Sequence, residues 1–266
     1  MDFAELARIE NEFEQIAKAY EIFDEDTRLN RSKAARVEFL TTVHIIEQYL
    51  KPNDRILDIG AGAGEYTLYF ARKGYPVSAV ELAERNIEAF RKKLTADDPV
   101  ELRQGNAIDL SCYPDAFFDV VLLFGPLYHL HREEDRQKCI AEAKRVCKPD
   151  GTLFFAFIAH DMVFFTELQN NPHYFRTGDY DHDTLRLHNF PFVFHTVDEC
   201  RRMLREGGIR NLREIASDGL SELMEDRINS LDEESYAQYL RYHLHTCEKP
   251  EMLGHSNHLL FVGKQS

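Results

Sequence analysis

The chain has 266 residues, 44% of them hydrophobic, which is enough for one large domain with insertions around a real core. Its formal net charge of −14 counts against wrapping by nucleic acid, which needs a basic surface to replace the counterions on phosphates. The longest apolar runs, residues 120–124 and 153–159, are strand-length, and residues 1–20 are a charged amphipathic pattern, so neither a spanning helix nor a signal peptide is expected.

In chain order, apolar residues first recur at helical spacing: Phe3, Leu6, Ile9 and Phe13, then Val37, Leu40, Val43, Ile46 and Leu50. Two helices are predicted before the first strand, joined by an acidic loop at residues 23–30.

The stretch Ile56-Leu57-Asp58-Ile59-Gly60-Ala61-Gly62-Ala63-Gly64 joins an apolar strand to three alternate glycines and then to an amphipathic helix. Glycine lets the turn adopt otherwise strained dihedrals and lets backbone lie against a ligand, while the helix that follows offers unpaired N–H groups. A dinucleotide site would require G-x-G-x-x-G. Here the glycines run G-x-G-x-G, and Glu65 stands where the third dinucleotide glycine would be. Asp58, at the end of the strand, would repel phosphate and suits a cation. A nicotinamide dehydrogenase is therefore disfavoured.

Strand and helix then alternate: helix 66–73, strand 76–80, helix 85–94, strands 100–103 and 120–124, helix 134–146 and strand 153–158. This is a doubly wound α/β pattern, in which ligands sit at the carboxyl ends of the strands. Asp58, Glu81, Asn106 and Phe124 all fall at such ends. Residues 160–196 break the alternation as a loop-rich insertion dense in Phe, Tyr, His and Asp, which either forms a substrate-specificity region or packs as a satellite core. The run Tyr180-Asp181-His182-Asp183 has no second cluster of ligands, and no metal site is expected. A helix at 197–205, a strand at 209–215, a helical insertion at 219–255 and a closing strand at 257–263 complete the chain. Five cysteines, Cys112, Cys139, Cys147, Cys200 and Cys247, lack any C-x-x-C pair; reduced thiols and a cytoplasmic location are expected. The basic clusters Arg91-Lys92-Lys93 and Arg201-Arg202 read as solvated helix faces.

Four segments together resemble the class I S-adenosylmethionine-dependent methyltransferases: the glycine motif at 57–64, Val77-Ser78-Ala79-Val80-Glu81, Gln104-Gly105-Asn106-Ala107, and the strand and loop from Phe118 to Leu130. The helix, turn and strand around Arg145 to Leu153 follow in the family's order. The resemblance covers roughly residues 54–160. It implies a Rossmann-like seven-stranded, mostly parallel sheet of order 3-2-1-4-5-7-6, with the seventh strand antiparallel. Residues 1–51 would be an N-terminal helical lid or cap, and 52–266 the methyltransferase domain with its two insertions. The alternative is that the helices only pack on the sheet edge.

The same resemblance assigns the cofactor, S-adenosylmethionine, with S-adenosylhomocysteine as its product. Gly60, Ala61 and Gly62 would approach the methionine and ribose, Asp58 would hold the ammonium side, and Glu81 would accept from the ribose hydroxyls. Asn106 and Ala107 would border the adenine between Leu82 and Ile108, and Phe124 would lend its carbonyl to the ammonium. Many relatives carry Asp where Asn106 stands; an amide oxygen can still accept that bond.

Methyl transfer is an in-line displacement that needs alignment and exclusion of water and no covalent enzyme intermediate. For a hydroxyl acceptor His129 is the first candidate base, with Tyr128 orienting the substrate and His131, His160 and His195 as weaker alternatives. A small-molecule acceptor, without nucleic acid or membrane, is expected; a protein or RNA methyltransferase and a non-catalytic binding protein are the alternatives.

Overall fold

The computed structural model describes residues 3–23 and 25–266, without the side chains of residues 3 and 4. Met1, Asp2, Asp24 and the side chain of Phe3, which fall in the expected lid and its loop, lie outside the described residues. The strands are β1 (Ile56–Ile59), β2 (Val77–Glu81), β3 (Val100–Gln104), β4 (Phe118–Leu123), β5 (Cys147–Ala159), β6 (Tyr180–Asp181), β7 (Arg186–Leu187), β8 (Phe194–His195), β9 (Ile209–Ala216) and β10 (His258–Gln265). The helices are α1 (Phe3–Leu6), α2 (Glu12–Ala19), α3 (Lys33–Glu47), α4 (Glu65–Arg72), α5 (Glu84–Lys93), α6 (Pro126–His129), α7 (Glu133–Val146), α8 (His160–Asn170), α9 (Val197–Glu206), α10 (Glu225–Asn229), α11 (Glu233–Thr246) and α12 (Pro250–Leu253).

The main sheet runs β3-β2-β1-β4-β5-β10-β9. β10 is antiparallel to both neighbours, and the other pairs along this path are parallel. The expected order therefore holds, with β9 and β10 as its sixth and seventh strands. The sheet has eight strands rather than seven, because the two-residue β8 adds in parallel to the end of β5 at Ile158 and Ala159.

Parallel strands covered on both faces read as continuous apolar runs, and β1 shows why. Ile56 packs on one side with Phe39, Val43 and Ile46 of α3 and Phe70 of α4. Leu57 and Ile59 pack on the other with Cys139, Ile140 and Ala143 of α7 and Cys200, Met203 and Leu204 of α9. Each such side chain, fully buried, contributes on the order of 1.5–3 kcal/mol.

Local signals set the helix starts. Asn11 caps α2 by accepting the Glu14 N–H at 3.0 Å, and Ser32 caps α3 by accepting that of Ala35 at 3.1 Å. The cap at Asn11 explains one departure from expectation: the apolar repeat of residues 3–13 is split into α1 and α2, so three helices precede β1 among the described residues. A second departure lies at 160–196, where α8 and the short β6–β7 pair replace a continuous loop. A third is β5, which starts at Cys147 rather than at 153 because a register shift against β4 absorbs the intervening turn.

Candidate active site

The turn after β1 is built by its glycines. Gly60 has φ +80°, and a Cβ there would lie 2.4 Å from the carbonyl oxygen of Phe124. Gly64, at φ +87°, is the N-cap of α4, and a Cβ there would lie 2.4 Å from the Phe90 ring. Only glycine fits either place, and the close approach at Gly60 draws the turns after β1 and β4 together.

Glu81, at the end of β2, is buried. Its carboxylate accepts the N–H groups of Gly62 and Ala83, each at 2.8 Å, and the Asn86 amide at 3.3 Å. Burial raises its pKa, against the pull of those donors. A carboxylate has about four lone-pair sites, so acceptor capacity is left over for a ligand's hydroxyl. Asp58 is buried at 1% exposure; one oxygen accepts from the Thr67 hydroxyl at 2.7 Å, and the other, Oδ1, has no partner. Burial, with a contribution from the Glu81 charge, pushes its pKa up to about 7. An orphaned, buried carboxylate oxygen calls for a cation or a donor that the protein itself does not provide.

Gly60, Glu81, Leu82, Asn106 and Ala107 line one pocket, together with Gly125, Pro126, His129 and Leu130. Asn106 Oδ1 accepts the Ile108 N–H at 3.2 Å, which closes its own turn. Asp58, Ala61, Gly62, Ile108 and Phe124 do not line this pocket: Ala61 and Phe124 are buried, Ile108 packs on the core, and Gly62 is reached through Glu81. Phe13, Ile16 and Tyr20, from α2 and the residue after it, close the pocket as its roof; the sequence offers a lid from residues 1–51 as one alternative but does not single these three out as lining the site. The volume left is about 50 Å³, far below the roughly 300–1,000 Å³ of small-ligand sites. The amphipathic repeat carrying Phe13 was the signal available for this roof.

Tyr128 and His129 sit on α6, the short helix after β4. His129 is buried, and its Nε2 pairs with the Tyr20 hydroxyl at 2.8 Å. Its Nδ1 is buried without a partner. Burial, assisted by His131, pushes its pKa down to about 3, so the ring is neutral at physiological pH. Burial also drives the Tyr128 and Tyr20 hydroxyls well above their usual range. His195 Nε2 donates to the Leu127 carbonyl, 3.3 Å away, and His160 reaches Asp161 and the Leu187 N–H.

A second cavity, of about 540 Å³, meets the first at Tyr20 and His129, which line both. Tyr128, Phe23 and Phe192 stand at this end, and Phe192 is the one aromatic residue of the 160–196 insertion among its described lining residues. Phe164, Tyr174 and Tyr180 instead pack against one another, as a satellite core. The rest of the wall mixes small and apolar residues, Ala34, Ala35 and Ile158 among them, with charged ones. Glu25, Glu38, Asp218, Glu222 and Glu225 face Arg28, Arg31 and His258: five carboxylates against three cations when His258 is protonated. Arg28 holds Glu38 at 2.7 Å and Glu25 at 3.2 Å. His258 Nδ1 lies 2.7 Å from Asp218 and 3.4 Å from Glu38. Burial opposes its charge, but these two carboxylates prevail and raise its pKa to about 9.

Glu38, Asp218 and His258 bring one ligand atom each within 4.8 Å of one another, the spacing of a metal site. Their atoms are already engaged by Arg28, Ser256 and each other, as an internal ion network holds them. The run Tyr180–Asp183 forms a turn in which Asp181 accepts the N–H groups of Asp183 and Thr184.

The sheet order, with its one antiparallel strand, and the glycine turn after β1 are those of the Rossmann-like methyltransferase fold. Residues 57–155 match the family model described as a methyltransferase domain. Among curated relatives, the chain is similar to the 27-O-demethylrifamycin SV methyltransferase of Amycolatopsis mediterranei, 36% identical over 39% of this chain and 38% of that protein. It is also similar to the demethylmenaquinone methyltransferase of Symbiobacterium thermophilum, 29% identical over 52% of this chain and 54% of that one. The chain thus spans about half or less of the length of these relatives. Among solved structures, a Pyrococcus horikoshii protein superposes with a TM-score of 0.61 at 18% identity, covering 94% of this chain and 99% of that one. The 1,6-didemethyltoxoflavin-N1-methyltransferase of Burkholderia thailandensis, solved with its substrate and S-adenosylhomocysteine, superposes at 0.55 and 17% identity, over 99% and 89%. At these identities the structural likeness speaks for the fold alone.

Proposed function

We propose that this protein is a methyltransferase that moves a methyl group from S-adenosylmethionine to an O, N or S nucleophile of a small molecule in the cytoplasm. The observation that carries the small-molecule reading is the second cavity. Its volume falls within the range of small-ligand sites, it adjoins the cofactor pocket, and Tyr20, Phe23, Glu25, Thr27 and Arg28 of the segment after α2 line one side of it. A polymer would need an open cleft, and the acidic wall opposes RNA.

The residues present fit the cofactor in chemistry. Glu81 has one of its roughly four lone-pair sites to spare for a ribose hydroxyl, the orphaned Oδ1 of Asp58 suits the ammonium side, and Leu82 and Ala107 wall the adenine region. When bound, S-adenosylmethionine supplies an electrophilic methyl group on a sulfonium. The chain's own residues then act by position and exclusion. Tyr128 orients the acceptor, while His129, neutral and buried, stands where the two cavities meet; with its pKa pushed down to about 3 it can accept a hydrogen bond from a hydroxyl but is a weak base for its proton.

Because Phe13, Ile16 and Tyr20 fill the space over Glu81, the part of residues 1–51 that serves as a lid is the segment before α3, which must lift to admit the cofactor, while α3 stays packed on the sheet. Its latches are the ion pair of Lys93 with Asp26 at 2.6 Å, Arg85 on the Glu21 carbonyl at 2.5 Å, and Tyr20 on His129. Calorimetric titration with S-adenosylmethionine, S-adenosylhomocysteine and NAD tests the whole reading. Binding of the first two alone is expected; NAD binding, or no binding, would refute it. Deleting residues 1–30 should weaken cofactor or acceptor binding while leaving the sheet folded, and unchanged affinity and turnover would remove the lid.

A further inference from the structure

The larger cavity has two chemically distinct parts. At the junction with the cofactor pocket the walls are rings: Phe23 and Phe192 are 5.0 Å apart between centroids, His129 and Phe192 5.2 Å, and Tyr128 and His129 5.1 Å. Ring faces attract an ammonium, yet an apolar enclosure also disfavours its charge and so favours release of its proton. Beyond the rings the described carboxylates exceed the cations by two. Among the described residues the Glu222 carboxylate takes the Asn257 amide, a neutral donor, and Glu225 takes the Ser32 hydroxyl at 3.0 Å with Arg31 at 3.8 Å. Glu222 is exposed and Glu225 half-buried, so both are open to an entering ligand, and carboxylates gathered in one concave wall repel anions and concentrate cations.

Resting on the methyltransferase reading above, we propose that the acceptor is a small amine carrying a second positive group, with its reacting nitrogen among the rings of Tyr128, His129 and Phe192 and its second cation against Glu222 and Glu225. A hydroxyl or carboxylate acceptor would leave the acidic wall uncompensated. The amine first releases a proton to water. The nitrogen lone pair then forms the new N–C bond as the C–S bond breaks, and the electrons of that bond pass to sulfur, leaving a neutral thioether. The nitrogen product leaves as the methylated ammonium. No enzyme base is consumed, in keeping with a His129 whose environment keeps it neutral.

The test is calorimetric titration of the S-adenosylhomocysteine-loaded protein with a series of α,ω-diamines, with butylamine and with butyrate. At least one diamine should bind about tenfold or more tightly than butylamine, the worth of one good charged contact, and butyrate should not bind. The same diamine should be methylated in turnover assays. The double variant Glu222→Gln/Glu225→Gln should weaken the diamine by about tenfold with S-adenosylhomocysteine affinity retained, which also reports that the fold survives. The proposal is overturned if no diamine binds or is methylated, if butyrate binds as well as the diamines, or if the double variant binds them like the parent. Failure of the loading step, in contrast, would refute the methyltransferase reading itself.

Discussion

The glycine-turn half of the site and the acidic cavity beside it are built in opposite ways. Gly60, Glu81 and Asn106 stand at or just after consecutive strand ends of one parallel sheet, and short backbone bonds such as Gly62 N–H to Glu81 hold them. Glu38, Asp218 and His258 come from α3, the turn after β9 and the start of β10, and their mutual charges, with Arg28 and the Ser256 hydroxyl, hold them together. The first construction places donors and acceptors by chain geometry. The second places them by electrostatics, so it should respond to pH and charge where the first responds to shape.

The largest effect expected is on shape. Gly60→Ala sets a Cβ against the Phe124 carbonyl in a left-handed conformation, and should cost roughly 2–5 kcal/mol of stability by denaturant unfolding. A loss within experimental error would show that the turns after β1 and β4 are not held together as described. Next is Glu81→Ala, which should raise the S-adenosylmethionine dissociation constant by about tenfold or more, since charged hydrogen bonds contribute roughly 1.5–3 kcal/mol. A variant that binds like the parent would remove the ribose assignment.

Charge should dominate the second region. His258 has its folded pKa raised to about 9, so its contribution is fully present below its unfolded value of 6.5 and is lost as pH rises through about 9. Thermal unfolding should therefore show a loss on the order of 3 kcal/mol across that window, and His258→Gln should flatten it. An equal slope in the variant would mean that the Glu38–Asp218–His258 network does not stabilise the cavity wall.

The smallest effect sharpens the comparison from within the glycine-turn half. Asp58 keeps its proton up to about pH 7 in the folded protein, so ionised Asp58 is a cost of folding that appears as pH rises from its unfolded value of 3.8 to that point. A bound ammonium favours the ionised form and must displace that proton below pH 7. Cofactor affinity should rise by up to about tenfold per pH unit toward pH 7 and then level. Asp58→Asn should show a flat profile; a matching slope in the variant would assign the proton elsewhere.

These contrasts separate what was readable in the sequence from what was not. The alternation of strands and helices, the sheet order implied by the family resemblance, and the strand-end places of Asp58, Glu81 and Asn106 were legible, because glycine dihedrals and strand spacing act over a few residues. The start of β5, the helix α8 in the aromatic insertion and the extra strand β8 were not, because each depends on a neighbouring segment that propensity does not see.

By itself, then, the amino-acid order determined the glycine turn, the acid at the end of β2 and the two-faced apolar sheet, since these follow from local backbone geometry and hydrophobic period. Tertiary structure alone decided that α2 closes the pocket over Glu81, that His129 is buried to neutrality, and that Glu38, Asp218 and His258 meet in one cavity wall. Burial and Coulomb energy depend on distances in space, and residues as far apart in the chain as Glu38 and His258 carry no local mark of the partner they will face.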